Sequence, residues 1–211
     1  MCGRYQDATE WRGLVEEFDQ RQIPIVFPAA SAAPNLPVNL DVRPTQDATI
    51  FRTREDGVEL ARARWWLVPR FHRGPLKGWR FATFNARAES VATARSFRDS
   101  FRQRRCLVAA TVWYEWTGPR ESRAKWLFTP RGGEPMMLAG LWDRAETDDH
   151  GTVESFTIVT QPAGAPLNAY HDRAPVVVFG DEWARWLRDD KVGDLLAPES
   201  RNRFDARRAE E

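Results

Sequence analysis

The sequence has 211 residues, enough for one domain of ordinary to large size. Hydrophobic residues make up 42% of it and charged residues 29%, a balance typical of a folded protein and not of a disordered one. No stretch approaches the roughly 18 apolar residues of a membrane-spanning helix, and the N-terminus carries no secretory signal pattern. The two cysteines, Cys2 and Cys106, are too few for a disulfide framework, which favours a reduced, cytoplasmic protein.

The net charge of +1 hides an uneven distribution along the chain. Residues 61–125 contain 15 Lys or Arg against 4 Asp or Glu, whereas residues 143–211 contain 9 against 15. Nearly all the cations are arginines, which contact phosphates in a bidentate manner and stack on bases. The basic segment and the ten tryptophans are compatible with single-stranded nucleic-acid binding, but a solvated charged surface and core tryptophans would give the same composition.

The first predicted element is an amphipathic helix over residues 7–19. Asp7 and Glu10 have the spacing of a capping box at its start. Apolar side chains follow at helical spacing along one face. These are Trp11, Leu14, Val15 and Phe18.

The remaining elements are mostly strands. Five prolines indicate a long irregular loop over residues 24–46, and little Gly or Pro interrupts a helical pattern over 86–102. Predicted strands cover 48–53, 57–64, 105–116, 124–129, 136–142, 154–160 and 175–179. A late helix over 181–188 and a polar, frayed tail over about 198–211 complete the chain. The pattern predicts an α+β fold, a single domain over 1–211 with a mainly antiparallel, barrel-like β core flanked by a few helices.

Cys2 is the first candidate for chemistry. If Met1 is removed, Cys2 offers a thiol and a free amine of low pKa on one residue. Such a residue can attack as a thiolate with its own amine as base. It can also condense with an aldehyde to close a five-membered thiazolidine ring. An incidental or buried second residue remains the alternative interpretation.

Other candidates lie in three short segments. Asn85 and Arg87 stand in FNARAES, Glu115 in VWYEW, and His171 with Arg173 in AYHDRAP. A glutamate in an apolar strand either faces solvent or is desolvated with a raised pKa that suits acid–base chemistry. His171 precedes a predicted strand, and a histidine there is either structural or lines a site.

Metal and nucleotide chemistry find no support. Two cysteines and three histidines lie far apart, without Cys-x-x-Cys or His-x-x-x-His spacing. Neither a Walker loop nor a dinucleotide glycine pattern is present, so we expect no cofactor.

Taken in order, several segments resemble the SRAP family, whose members are known as SOS-response-associated peptidases or abasic-site-processing proteins. The resemblance runs from residue 2 to about residue 187. It is carried by MCGRY, NARAES, SFR followed by RRCLVAATVWYEW, LAGLWD, and FTIVT followed by HDRAP.

The resemblance implies covalent capture of abasic sites in single-stranded DNA, through a thiazolidine formed by Cys2 once Met1 has been cleaved. It implies that Asn85 positions Cys2 and the sugar, Glu115 handles protons, and His171 promotes ring opening. It further implies a monomer without membrane or nucleotide partners, acting in the cytoplasm or at the nucleoid. The expected DNA contacts are Arg4, Arg87, Thr160, Arg173 and Phe71.

Some positions depart from the family pattern. Trp66 and Val112 stand where glycines are usual, Asp41 stands where an asparagine is usual, and the wedge after Pro69 reads Arg-Phe-His. These departures bear on DNA geometry and affinity, because no candidate catalytic residue is lost.

Two other functions remain open on the sequence. An N-terminal nucleophile hydrolase, such as a glutamine amidotransferase domain, also begins Met-Cys-Gly and would use Cys2 to attack an amide. A non-catalytic single-stranded DNA binder would not need Cys2 at all.

Overall fold

A computed structural model describes residues 2–26, 38–198 and 203–209, without the side chain of Trp11. The strands are β1 (Tyr5–Asp7), β2 (Ile25–Val26), β3 (Asn39–Val42), β4 (Asp47–Arg54), β5 (Gly57–Trp65), β6 (Asn85–Arg87), β7 (Arg105–Ala109), β8 (Val112–Thr117), β9 (Ala124–Pro130), β10 (Met136–Thr147), β11 (Gly151–Pro162), β12 (Arg173–Pro175), β13 (Val177–Phe179) and β14 (Phe204–Arg208). The helices are α1 (Trp11–Gln20), α2 (Arg98–Gln103) and α3 (Trp183–Arg188).

Five of the strands close a barrel. The order β5–β4–β7–β10–β11 is antiparallel throughout, and β11 returns to β5 through a short parallel pairing, in which Phe156 lies opposite Trp65. An odd number of strands requires one such parallel pair. A second sheet, in the order β14–β9–β8–β1–β3, packs against this barrel. The predicted α+β class with a barrel-like, mainly antiparallel core is confirmed.

Successive residues of the barrel strands point into two different cores. In β7, Cys106 and Val108 belong to an inner core, which fills the barrel and continues to Cys2, Tyr5 and the second sheet. The intervening Leu107 and Ala109 belong to an outer core, which packs against α1 and α3. Because both faces of β7 are buried, its residues 106–109 form a continuous apolar run and do not alternate with polar residues.

Two glycines permit close approaches in this arrangement. A Cβ on Gly57 would lie 2.4 Å from the carbonyl oxygen of Pro24, where β2 joins β5. A Cβ on Gly140 would lie 2.8 Å from Cys106 Sγ inside the barrel. Any larger side chain at either position would force neighbouring strands apart.

The first helix is shorter than predicted. α1 begins at Trp11, and Phe18 on its buried face packs on Phe51 and Trp183 at ring-centroid distances of 5.0 and 4.9 Å. The predicted capping box is wrong. Asp7 belongs to β1, where its buried carboxylate accepts hydrogen bonds from threonine side chains, and Glu10 makes no side-chain cap.

The predicted loop and the predicted second helix also need correction. Within residues 24–46 the structure has β2 and β3, which pair with β5 and β1, while residues 27–37 lie outside the described part. Most of 86–102 is not helical, since β6 runs parallel to β11 and only α2 is a helix. Long-range strand pairing outweighs local helix propensity here.

Several strand boundaries differ as well. The predicted strand 105–116 is two strands, since the chain leaves the barrel at Ala110 and enters the second sheet, where the Thr111 amide donates to the Gln6 carbonyl. Similarly, 175–179 is divided between β12 and β13. The other predicted elements are confirmed, although their first and last residues differ from the prediction. These are the strands at 48–53, 57–64, 124–129, 136–142 and 154–160 and the helix over 181–188. No helix among the described residues is long and apolar enough to cross a membrane.

The predicted frayed tail contains a strand. β14 pairs with β9 along its whole length, and Phe204 at its start is 5% exposed. Its ring packs on Trp113 at 4.7 Å and on Phe179 at 5.8 Å. Residues 199–202, 210 and 211 lie outside the described part. Burial of the Phe204 ring therefore stabilises β14, whose other residues are exposed and mostly polar and resemble those of an unstructured tail.

We expect Phe204→Ala to lower the free energy of unfolding by about 3 kcal/mol, since a buried phenyl ring is lost from the inner core. Urea denaturation measures this. The matched control is Asp205→Ala, whose ion pair with Arg131 is 58% and 51% exposed and whose loss should cost less than about 1 kcal/mol. If both substitutions lower the free energy of unfolding equally and only slightly, β14 is not packed against the inner core in solution.

Candidate active site

Cys2 is held inside the protein although it stands next to the chain end. It is 0% exposed and belongs to the inner core. The following strand β1 lies between β3 and β8, with Tyr5 opposite both Val42 and Trp113. The backbone carbonyl of Cys2 accepts a hydrogen bond of 2.7 Å from Asn85 Nδ2. Position and orientation of Cys2 are thus fixed from two sides.

Asn85 reaches Cys2 from the barrel. It begins β6, which pairs with β11 so that Asn85 lies opposite Ile158, and it is 9% exposed. Its Oδ1 atom is buried and has no hydrogen-bond partner among the described residues. A buried acceptor without a donor costs free energy. Oδ1 is therefore placed to accept a hydrogen bond from a bound group or from a new amine at Cys2.

Glu115 supplies an acid at the same place. It lies in β8, is 4% exposed, and its charge acts on Cys2. Burial raises the pKa of Glu115 to about 7; the positive charge of the amino terminus opposes this shift and Asp172 adds to it. A carboxyl group with this pKa can give or take a proton at neutral pH.

The Cys2 thiol is correspondingly hard to ionise. Burial, and next the nearby Glu115 carboxylate, raise the pKa of Cys2 well above its usual range. The amino-terminal charge and a hydrogen bond from the Arg4 backbone amide to the sulfur only partly offset this. The thiol is neutral at physiological pH.

His171 lies in the loop before β12. The Arg173 backbone amide donates to its Nδ1 at 3.0 Å, and the side chain is 30% exposed. Burial, and then the positive charge of the amino terminus, lower the pKa of His171, while the exposed Asp172 carboxylate raises it. The imidazole is held mainly neutral at physiological pH. The charge of Asp172, which follows His171, acts on Glu115, so the loop that carries His171 lies near Glu115 in β8.

The predicted DNA contacts are distributed around this group. Arg173 donates to the Thr160 carbonyl at 2.7 Å and to both carboxylate oxygens of Glu89 at 2.6 and 2.9 Å. Arg87, exposed at the end of β6, lies opposite Thr160. Arg4 pairs with Asp41 in a bidentate manner, with two distances of 2.6 Å.

Phe71 belongs to a different part of the surface. It is 36% exposed, and its ring packs on Trp79 at 6.1 Å with the Arg95 guanidinium 4.8 Å above it. Phe81, 67% exposed, continues this aromatic cluster. The structure places Phe71 among these rings and not among the side chains around Cys2.

The sequence marks Asp41 as a departure from the family pattern but does not predict that it pairs with Arg4, and Glu89 was not recognised at all. Asp41 is 37 residues from Arg4, and Glu89 is 84 residues from Arg173. Nothing local signals either pair, although Glu89 follows Arg87 at strand spacing in NARAES. In the described ranges no three His, Cys, Asp or Glu side chains converge in a way that could hold a metal ion.

Comparison with known protein families identifies the family of this chain. The family described as SOS response associated peptidase (SRAP) matches residues 1–210. The chain belongs to the SRAP family. The expected resemblance is thereby confirmed over essentially the whole chain, beyond the segment up to residue 187.

Among curated SRAP relatives, the abasic site processing protein YoqW of Bacillus subtilis is 25% identical over 204 residues, covering 94% of this chain and 87% of the relative. The abasic site processing protein YedK of Escherichia coli is 26% identical over 197 residues, covering 92% and 82%. A crystal structure of a Bacteroides thetaiotaomicron protein has a TM-score of 0.82 at 22% identity, covering 99% and 92%, and one from Bordetella bronchiseptica has 0.80 at 24%, covering 100% of both. These structures show that the SRAP chain shares their fold.

The raised pKa of Glu115 predicts a pH dependence of stability. The folded state holds this proton up to about pH 7, whereas an unfolded glutamate loses it near pH 4.5. The stabilising contribution of the proton is complete below the lower value and is lost as the pH rises through the higher one. We expect the free energy of unfolding of the wild type to fall by about 3 kcal/mol over this range relative to Glu115→Gln.

Urea denaturation at pH 4.5 and pH 7.5 measures this difference. The control is Glu146→Gln, which removes a carboxylate that is 66% exposed on β10. Parallel pH profiles of the wild type and Glu115→Gln would contradict the raised pKa.

Proposed function

We propose that this chain captures abasic sites in single-stranded DNA as a covalent thiazolidine at Cys2, after removal of Met1. One observation carries the proposal: Cys2 is buried and fixed by Asn85, beside a glutamate whose pKa is about 7. The relatives named abasic site processing proteins give the substrate class.

The chemistry requires an amine and a thiol on one residue. Removal of Met1 gives Cys2 its free amine. That amine adds to the C1 aldehyde of the ring-opened sugar and, with loss of one water, forms an imine. The thiol then adds to the carbon of the protonated imine and gives up its proton to a base, which closes the ring. The DNA strand stays intact, and the adduct weighs the sum of both partners less one water.

Glu115 and His171 suit the proton transfers of this sequence. In its neutral form, Glu115 protonates the hydroxyl that leaves as water, and the resulting carboxylate takes the thiol proton. A neutral His171 accepts a proton from the sugar hydroxyl as the hemiacetal opens. The unpaired Oδ1 of Asn85 accepts a hydrogen bond from the Cys2 amine or from the sugar. The raised pKa of Glu115 keeps a proton available for the first role, and the lowered pKa of His171 keeps its imidazole neutral for the second.

The state of the thiol disfavours an amide hydrolase. An N-terminal nucleophile hydrolase attacks with a thiolate, and burial together with Glu115 works against ionisation of Cys2. In the thiazolidine route the amine attacks first, and the thiol reacts only once it is held beside the imine carbon. Because the thiol and the imine carbon are then held side by side, a neutral thiol reacts although it is a weak nucleophile.

The surface around the site suits a DNA backbone. The basic segment 61–125 contributes Arg87, which follows Asn85 by two residues and is exposed. Arg4 follows Cys2 at the same spacing, and Arg173 follows His171. Phe71 and its neighbouring rings offer faces on which bases of a single strand can stack at some distance from Cys2. Contacts of these kinds are independent of base sequence, as a lesion that arises at any position demands.

Intact-protein mass spectrometry after incubation with a single-stranded oligonucleotide bearing one abasic site tests the proposal. We expect the mass of the wild type to rise by that of the oligonucleotide less one water. Cys2→Ala should give no adduct. Cys106→Ala is the matched control, because it removes the other buried thiol from the same core.

The alternatives give different results. Adducts in Cys2→Ala, or none in the wild type, would exclude capture through Cys2. Non-covalent retention that is equal in wild type and Cys2→Ala would identify a simple single-strand binder. Release of glutamate from glutamine by the wild type would identify the amide hydrolase.

We further propose that Met1 is removed by the protein itself. The Cys2 thiol attacks the adjoining Met1 carbonyl while the Glu115 carboxylate takes its proton, so that proximity replaces the need for a free thiolate, as in the ring closure. Hydrolysis of the Met1–Cys2 bond consumes one water and frees methionine. Mass spectra of the purified proteins should then lack Met1 in the wild type and retain it in Glu115→Gln. Loss of Met1 from both proteins would assign the cleavage to an aminopeptidase of the host.

A further inference from the structure

Arg4 connects the buried site to the surface. Its backbone amide donates to the Cys2 sulfur, while its side chain is 31% exposed. A phosphate next to a sugar captured at Cys2 would therefore come within reach of the Arg4 guanidinium. That guanidinium is already engaged. Its Nε and Nη2 atoms donate to the two oxygens of Asp41, both at 2.6 Å.

Asp41 lies in a cationic environment. Arg43 donates to the same carboxylate from Nε at 2.8 Å, and the charge of Lys125 also acts there. Hydrogen bonding by Arg4, and then by Arg43, holds the pKa of Asp41 well below its usual range. One carboxylate thus faces three cations. Without it, this surface beside Cys2 would present three positive charges to solvent.

A carboxylate and a phosphate meet an arginine in the same way. Each offers two oxygens to two parallel N–H groups of the planar guanidinium. We propose that the Asp41 carboxylate occupies the position that a DNA phosphate takes on Arg4, and that Asp41 is an internal competitor that lowers the affinity of the site for DNA. This inference rests on the proposed function, since it names the residue that tunes DNA binding at the same site.

The exchange is physically accessible. The Asp41 side chain is 36% exposed, and ion pairs at such positions contribute little to stability. When a phosphate takes Arg4, Asp41 keeps its second partner, Arg43, and no charge is left buried without a partner. The pairing of β3 with β1, in which Val42 lies opposite Tyr5, holds β3 in place during the exchange.

Arg173, the other arginine beside the site with a carboxylate partner, is held differently. Its side chain is 12% exposed, and it also donates to the Thr160 carbonyl at 2.7 Å. Glu89 therefore orients a nearly buried side chain against a fixed backbone group. Exchange of a partner for a phosphate is specific to Arg4.

Binding of a short unmodified single-stranded oligonucleotide, followed by fluorescence anisotropy, tests the inference without the covalent step. We expect Asp41→Asn to lower the dissociation constant roughly fivefold at low salt, because Arg4 no longer exchanges one anion for another. The slope of log K against log salt should steepen by about 0.7, the value for one further phosphate neutralised on a single strand. In an Arg4→Gln background, Asp41→Asn should lose most of its effect.

Glu17→Gln is the matched control. It also removes a carboxylate paired with an arginine, at 29% exposure, but on α1 against the outer core. We expect it to change the dissociation constant less than about twofold, since it lies outside the Cys2 surface. A larger change would show that net charge alone sets the affinity, which overturns the inference.

Other results also overturn it. Weaker binding by Asp41→Asn would show that Asp41 orients Arg4 for DNA. An equal gain in the Arg4→Gln background would show a long-range charge effect. If the wild type forms the Cys2 adduct but Asp41→Asn binds as the wild type does, only this inference fails. If neither protein binds DNA and no adduct forms, the proposed function fails with it.

Discussion

The first strand enters the sheet three residues after Cys2, and this constraint determines what the site can do. Chain ends are usually poorly ordered, because few contacts oppose their conformational entropy. Here β1 is hydrogen-bonded on both sides, and Asn85 holds the Cys2 carbonyl. Cys2 gains a defined position in this way. The other side chains of the site are useful only because Cys2 stays within their reach.

Holding the terminus there requires polar groups in an apolar surrounding. Glu115 and Asn85 are almost fully buried between the barrel and the second sheet, and Asn85 Oδ1 lacks a partner among the described residues. Such groups destabilise a fold, whereas they prepare a site to bind. The two apolar cores on either side of the barrel strands offset this cost. The same burial that destabilises Glu115 also raises its pKa to the range that proton transfer at neutral pH requires.

The sequence predicts the barrel strands well and the connections poorly. β4, β5, β10 and β11 contain β-branched or aromatic residues, and short turns separate β4 from β5 and β10 from β11, which local propensity can detect. β6 and β14 are short and polar, and they are strands only because β11 and β9 offer them hydrogen-bonding edges. A local pattern contains no information about such distant partners. The predicted capping box failed for the same reason, since the carboxylate of Asp7 bonds to threonines and its residue belongs to a strand.

The candidate site could likewise be predicted from the sequence only in part. Cys2, Asn85, Glu115 and His171 could be named from motifs, and the structure places Asn85 and Glu115 beside Cys2. Their protonation could not be predicted, because it depends on burial and on charges contributed by distant segments. The carboxylates that face Arg4 and Arg173 could not be predicted either, since each pair joins two separate parts of the chain.

The pairing of Arg4 with Asp41 changes how the charge distribution along the chain should be interpreted. Counting arginines in residues 61–125 suggests a surface that attracts DNA strongly. Around Cys2, however, Arg4 lies outside that segment and is already paired with Asp41. On the proposed competition by Asp41, contact at the site requires a phosphate to replace a carboxylate, which a count of charges in residues 61–125 does not reveal. Under the proposed function this competition is advantageous, because intact single strands would be held weakly and released. Only an abasic sugar would be retained, through the covalent bond at Cys2.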